Sequence, residues 1–112
     1  MRIEHSLDIP APVATVWDLT TDVERLPDLS PTMTSVERLD DGPLSVGSRV
    51  RIRQPGQPAR TWTVTQLDPE RRFEWSTTAL GSTITGVHEL QPIDGGTRNT
   101  LAVELDGWSS RL

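Results

Sequence analysis

The sequence predicts an α+β domain: a seven-stranded, curved antiparallel sheet with two short helices inserted after the first strand. Three observations predict it. Turn-forming clusters recur roughly every 8–12 residues along most of the chain. The segments between them alternate apolar and polar side chains with a period of two, as a strand with one buried face does. A single stretch, Pro10 to Pro31, carries helical spacing instead.

Residues 2–9 open the chain as a half-buried strand, with Ile3, His5, Leu7 and Ile9 on one face and Arg2, Glu4, Ser6 and Asp8 on the other. The helical stretch follows. Val13, Val16, Trp17 and Thr20 fall at i, i+3, i+4, i+7, and Pro12 suits the first helical turn. Asp22 reads as the N-cap of a second, shorter helix from Val23 to about Leu26. Pro27 and Pro31 are expected to stop it, since each disfavours helix in the residue before it. Strands are then expected over Thr32–Leu39, Ser48–Gln54, Arg60–Leu67, Arg72–Thr78, Ser82–Leu90 and Thr97–Leu105. Their turns are Asp40-Asp41-Gly42-Pro43, Pro55-Gly56-Gln57-Pro58, Asp68-Pro69-Glu70 and Pro92 to Gly96. One face of this meander collects Trp62, Phe73, Trp75, Ile84, Leu90, Leu101 and Val103. A twisted sheet of this kind curls, and its apolar inner face needs a cover.

At 112 residues the chain is one domain, long enough for a single core. Its net charge is −5, with eleven Arg and no Lys, and no basic cluster fitted to nucleic acid. It has no cysteine, which excludes disulfides, thiolate metal sites and cysteine nucleophiles. The N-terminal segment lacks an apolar signal core, and no apolar run approaches the ~18 residues of a membrane span. A cytoplasmic, soluble protein is the expectation.

The order strand, two short helices, six strands resembles the helix-grip fold of the START-like (SRPBCC) superfamily, in particular its polyketide cyclase/dehydrase and lipid-transport group. The match rests on Ala11-Pro12 with Val16-Trp17, Thr21-Asp22-Val23-Glu24, Val46-Gly47-Ser48-Arg49 running into Gln54-Pro55-Gly56, and Trp62. It continues through Phe73 with Trp75, His88 and Gly95-Gly96-Thr97-Arg98. It covers nearly the whole chain as a single ligand-binding domain. The resemblance implies a cavity between the sheet and a long C-terminal helix, used for lipids, polyketides or other apolar small molecules. Two features depart from the pattern. Leu26 and Leu29 stand where many relatives carry aromatics, which changes the pocket mouth. The long C-terminal helix is missing: Gly107 to Leu112 would span ~9 Å as a helix, where about 20 residues are needed. A truncated chain, a second copy covering the open face, or an open cavity are the expectations this leaves, with Trp108 as the stub of that helix.

Individual residues are weighed against plain structural roles. His88 shares the inner face with Ile84 and Leu90, where it can orient a ligand carbonyl or act as a general acid/base, or be a hydrogen-bonded core histidine. Gln54 and Arg60 are placed at the mouth, as ligand contacts or as snorkelling strand-end side chains. Trp62, Phe73, Trp75, Ile84, Leu101 and Val103 are the expected walls, though large aromatics are equally the core of a small domain. Arg49, Arg51 and Arg53 form an outer stripe, expected to be answered by Glu74, Glu89 or Glu104. His5 and His88 have no metal-ligand spacing, and neither a nucleophile elbow nor a phosphate loop is present, so no metal or cofactor is expected. Three functions stay open: binding of a hydrophobic or aromatic small molecule; a polyketide cyclase, aromatase or dehydratase using His88; and a protein-interaction module whose concavity takes a helix of another chain.

Overall fold

A computed structural model describes residues 1–107 of the chain. Strand β1 (Arg2–Ile9) leads into α1 (Val13–Thr21), a 3-10 turn (Val23–Arg25) and α2 (Leu26–Leu29). Six strands follow: β2 (Ser35–Arg38), β3 (Arg49–Arg53), β4 (Arg60–Asp68), β5 (Arg72–Ala79), β6 (Ser82–Ile93) and β7 (Gly96–Gly107). The sheet runs β1-β7-β6-β5-β4-β3-β2 with every neighbouring pair antiparallel. Strands β2 to β7 are a plain meander, and β1 adds beside β7. The chain must therefore pass from one edge of the sheet to the other between β1 and β2, and the helices make that crossing.

Both ends of the crossing are pinned. At the β7 side the Thr97 hydroxyl, fully buried, donates to Ala11 O at 2.8 Å. Next to it Gly96 lets the β1–α1 corner approach closely: a Cβ there would lie 2.0 Å from Ile9 O. At the β2 side Glu24 Oε2 accepts from the Arg38 backbone N–H at 3.2 Å.

The helical insert departs from expectation in two places. Asp22 makes no side-chain cap; its backbone oxygen accepts from Arg25 N at 3.0 Å and closes the 3-10 turn. Pro27 does not stop the second helix but sits in the first turn of α2, where its missing N–H is not needed. The stop comes at Ser30, just before Pro31.

Most strands lie where alternation puts them, β6 and β7 run further, and β2 is shorter than expected, Ser35–Arg38 in place of Thr32–Leu39. Pro92 pairs with Thr97 inside the ladder, and the turn contracts to Asp94-Gly95. Strand β4 breaks its own alternation. The register shifts between Val64 and Gln66, so Thr65 is the extra residue of a bulge. Leu67, which strict alternation would turn outward, comes to lie opposite Phe73 and packs against the core.

That core is lopsided. Val23, Leu26, Val36, Val50, Ile52, Val64, Phe73 and Trp75 are buried together, with Trp17, Met33 and Leu67 packed on them. The sheet residues among them lie on β2–β5, and Trp17, Val23 and Leu26 come down on them from the helical insert. The β1–β7 side is bare: Ile3 is 64% exposed, Leu7 57%, Leu101 41% and Val103 46%. The half-buried β1 expected from sequence is thus exposed on both faces, because the described residues place no layer over its apolar side. The expected stub after β7, including Trp108, lies outside the described residues.

The convex face carries an ion-pair ladder. Arg72 bonds Glu74 at 3.0 Å and Glu89 at 2.6 Å; Arg2 approaches Glu89 at 3.7 Å and pairs with Glu104. Beneath it lie Val87 and Ala102, cross-strand partners that are 1% and 4% exposed. The aliphatic stems of charged side chains can cover apolar atoms in this way. This corrects the expectation that these glutamates answer Arg49, Arg51 and Arg53. Strand β3 borders β2 and β4 only, so Glu74, Glu89 and Glu104 are two or more strands away. Arg49 instead meets Asp40 at 3.7 Å.

Candidate functional site

Between the helical insert and the concave face lies an apolar cavity of about 550 Å³. Its size falls in the range of small-molecule sites. The floor is the sheet: Ile52, Trp62, Trp75, Gly86 and Leu101, with Val103 toward the bare side. The roof is Val16, Leu19 and Thr20 of α1 with Leu26 and Leu29 of α2, and Met33 closes the β2 side. The hydroxyl of Thr20 donates to Val16 O at 2.7 Å, so the helix offers the cavity little free polarity.

Gly86 sets the shape of the floor. Alternation places it inward between Ile84 and His88, opposite Trp75. A Cβ at this position would meet Trp75 Nε1 at 2.8 Å and Cδ1 at 3.0 Å. The missing side chain lets the Trp75 indole lie across β6. Trp62 stacks beside it, with ring centroids 5.9 Å apart and planes tilted by 47°.

Polar groups are few. No Asp, Glu, Lys or Arg lines the cavity among the described residues. His88 does, with its ring 5.5 Å from Phe73 and 6.4 Å from Trp75 between centroids. Loss of hydration among these rings pushes its pKa down to about 4, so the imidazole is neutral at pH 7. Asn99 lies diagonally across from it, since His88 pairs with Leu101 and Leu90 with Asn99. Asn99 Oδ1 is buried with no hydrogen-bond partner, and so is Trp62 Nε1. Gln54 lies at the opposite end, past Ile52.

Of the residues expected from sequence, Trp62, Trp75, Leu101, Val103, Gln54 and His88 line this cavity. Phe73, Ile84 and Arg60 do not. Phe73 is on the same face but fully buried in the core beside the floor, edge-on to Trp75 with centroids 4.9 Å apart. Ile84 lies toward the β5–β6 hairpin, opposite Thr77 and Leu105. Arg60 opens β4 opposite Ile52, outside the lining. Asn99 and Gly86 were missed by the sequence reading although alternation carried both signals: Asn99 precedes Leu101 by two, and Gly86 precedes His88 by two. A polar residue and a glycine simply do not register in a search for apolar walls.

A second depression, about 740 Å³, sits at the sheet end around Asp68, Glu70, Arg71, Arg72 and Glu89. Its charged walls do not suit an apolar guest. No group of three or more His, Asp or Glu among the described residues could hold a metal ion. No helix among them is long and apolar enough to cross a membrane.

The family profile described as polyketide cyclase / dehydrase and lipid transport matches residues 1–112. The chain belongs to this family. Solved structures agree on the fold. Ginseng major latex-like protein 151 from Panax ginseng superposes with a TM-score of 0.80 at 12% identity, covering 100% of this chain and 83% of that one. The Zhui aromatase/cyclase from Streptomyces sp. R1128 is similar at 25% identity and a TM-score of 0.76, covering 96% and 68%. A polyketide-cyclase-like protein of Corynebacterium glutamicum is similar at 26% identity and a TM-score of 0.66, covering 98% and 68%. No curated protein matches the sequence. The chain sets two short helices across one end of a seven-stranded sheet, and the cavity lies at their junction.

Proposed function

We propose that this family member binds an apolar, ring-bearing small molecule in the cavity beneath α1 and α2. The observation that carries the reading is a hollow of about 550 Å³ walled by two indoles and branched aliphatic side chains, with no charged group in its lining among the described residues. Flat aromatic walls suit flat ligands, and burying apolar ligand surface supplies roughly 25 cal/mol per Å². Arg60, Phe73 and Ile84 are not assigned contact roles.

A second reading, catalysis of ring closure or dehydration on a poly-keto chain, draws on His88 in the wall and on the aromatase/cyclase among the similar structures. His88 would be the proton-transfer group. Held neutral at pH 7 and with no carboxylate in the lining to raise its basicity, it suits a hydrogen-bonding role better than a general-base one. Binding is therefore the reading that the geometry favours.

The test is to fill the hollow. Titrating naphthalene against the intrinsic tryptophan fluorescence should give saturable binding to the wild type. Gly86→Leu, whose side chain must displace the Trp75 indole, should weaken it by roughly 100-fold, a loss of about 2.7 kcal/mol. Leu101→Trp, at a site already 41% exposed, fills the same space from the bare side without disturbing the core. Undiminished binding in a folded Leu101→Trp variant would reject the cavity as the site.

A further inference from the structure

Resting on that reading, we propose that the cavity selects neutral ligands that carry a hydroxyl or carbonyl on the ring body, and discriminates against carboxylates and other anions of the same shape. Three observations carry it. First, the lining holds no cation: all eleven basic residues are arginines, and none borders the cavity among the described residues. An anion entering it would give up its hydration with no counter-charge in return. Second, the polar groups of the sheet wall gather in one place. His88 and Asn99 are diagonal neighbours on β6 and β7, and Trp75 stands across Gly86 from them. The rest of the floor is apolar apart from the Trp62 indole N–H, which is buried without a partner. A ligand with one polar end and a ring body is matched to such a wall, and a uniformly apolar one is not.

Third, the polar spot is incomplete. Asn99 Oδ1 is buried without a donor and closed off from the cavity, so a guest reaches it only when the carboxamide turns inward, and the missing hydrogen bond favours that turn. Neutral imidazole offers one donor and one acceptor, and the carboxamide offers both kinds as well. Together they can receive a hydroxyl, which gives and takes a hydrogen bond, or a carbonyl, which takes one. A carbonyl and a carboxylate both only accept and leave Asn99 Oδ1 unmatched, but the carboxylate alone adds an unpaired charge. Gln54 does not offset this, because it lies at the other end of the hollow. The neutral state of His88 at pH 7 works in the same direction, since an imidazolium would have been the one cation available to an anionic ligand.

The experiment is a matched series on one ring system at pH 7: naphthalene, 2-acetylnaphthalene, 2-naphthol and 2-naphthoate, each titrated against the tryptophan fluorescence of the whole chain. The expected order has 2-naphthol tightest and 2-naphthoate at least about tenfold weaker than 2-naphthol. Asn99→Leu should weaken 2-naphthol by roughly five- to tenfold relative to naphthalene, a split between the two ligands that a merely structural role for Asn99 would not produce. If 2-naphthoate binds as tightly as 2-naphthol, the selection for neutral ligands is overturned while the cavity reading stands. If Asn99→Leu weakens naphthalene and 2-naphthol equally, Asn99 is not the polar anchor and the polar-spot argument falls. If none of the four binds, the failure lies with the cavity reading itself.

Discussion

Replacing Phe73 with Ala is expected to lower the unfolding free energy by about 3–5 kcal/mol, the range for deleting a fully buried aromatic. Phe73 is completely enclosed, with Trp75 edge-on at 4.9 Å and Leu67 opposite it across the β4–β5 ladder. For a domain of this size that corresponds to a fall in Tm of roughly 13–20 °C. Domains are typically stable by only about 5–15 kcal/mol, so the variant would stand near the edge of folding. Trp62→Ala should behave differently. Its ring is partly exposed on the cavity floor, so it should give up less stability and more ligand affinity. Urea unfolding of both variants separates the two cases. A loss below about 1 kcal/mol in Phe73→Ala would mean that Phe73 borders empty space rather than core.

The second large effect is a pH dependence of stability set by His88. Its pKa is near 6.5 in an unfolded chain and about 4 in the folded one, lowered by desolvation. Between those values the unfolded chain takes up a proton that the folded chain refuses. Stability is therefore fully present above pH 6.5 and falls as the pH drops toward 4, by about 1.4 kcal/mol per pH unit in mid-window. The total is roughly 3 kcal/mol, and the contribution is constant below pH 4. The carboxylates act lower down. Asp8 is held below the usual range by its bond to Arg98, and Glu74, despite its partial burial, by Thr65 and Arg72. Their support is present above about pH 4.5 and is lost as the pH falls through their folded values. His88→Leu, with His5 left in place, should flatten the curve between pH 6.5 and 4.5 and leave the acid limb intact. Unfolding curves at half-unit intervals would show it. An unchanged slope in the variant would place the proton uptake elsewhere.

The fold was largely legible because its signals are local. Period-two runs from Ile3 to Ile9 and from Leu101 to Leu105 define strands wherever they pair, and Asp94-Gly95 announces a hairpin. What could not be read depended on partners. Proline rules alone place Pro27 at the end of a helix as easily as in its first turn. Nothing around Thr65 marks a bulge, so the inward turn of Leu67 was invisible. Alternation assigns Phe73 and Trp75 to one face but cannot say that the first is core and the second floor. That division depends on where the helices cross. For the same reason Glu74, Glu89 and Glu104 found Arg72 and Arg2, which the strand order brings near, and not the arginines of β3. At the site, the apolar half was legible and the polar half was not. His88 stood out as a rare residue type, whereas Asn99 gains its significance from an unpartnered oxygen that a sequence does not display.

The most direct measurement is a 1H–15N NMR titration of the chain with 2-naphthol. A guest seated under α1 and α2 should shift the indole N–H signals of Trp62 and Trp75 and the amides of Gly86, His88, Asn99 and Leu101 together, along one saturating curve. The amides of Asp41 and Gly42, in the turn between β2 and β3, should stay where they are. Shifts gathered instead on the charged end around Asp68–Arg72, or no saturable shifts at all, would contradict a cavity built to hold a small molecule.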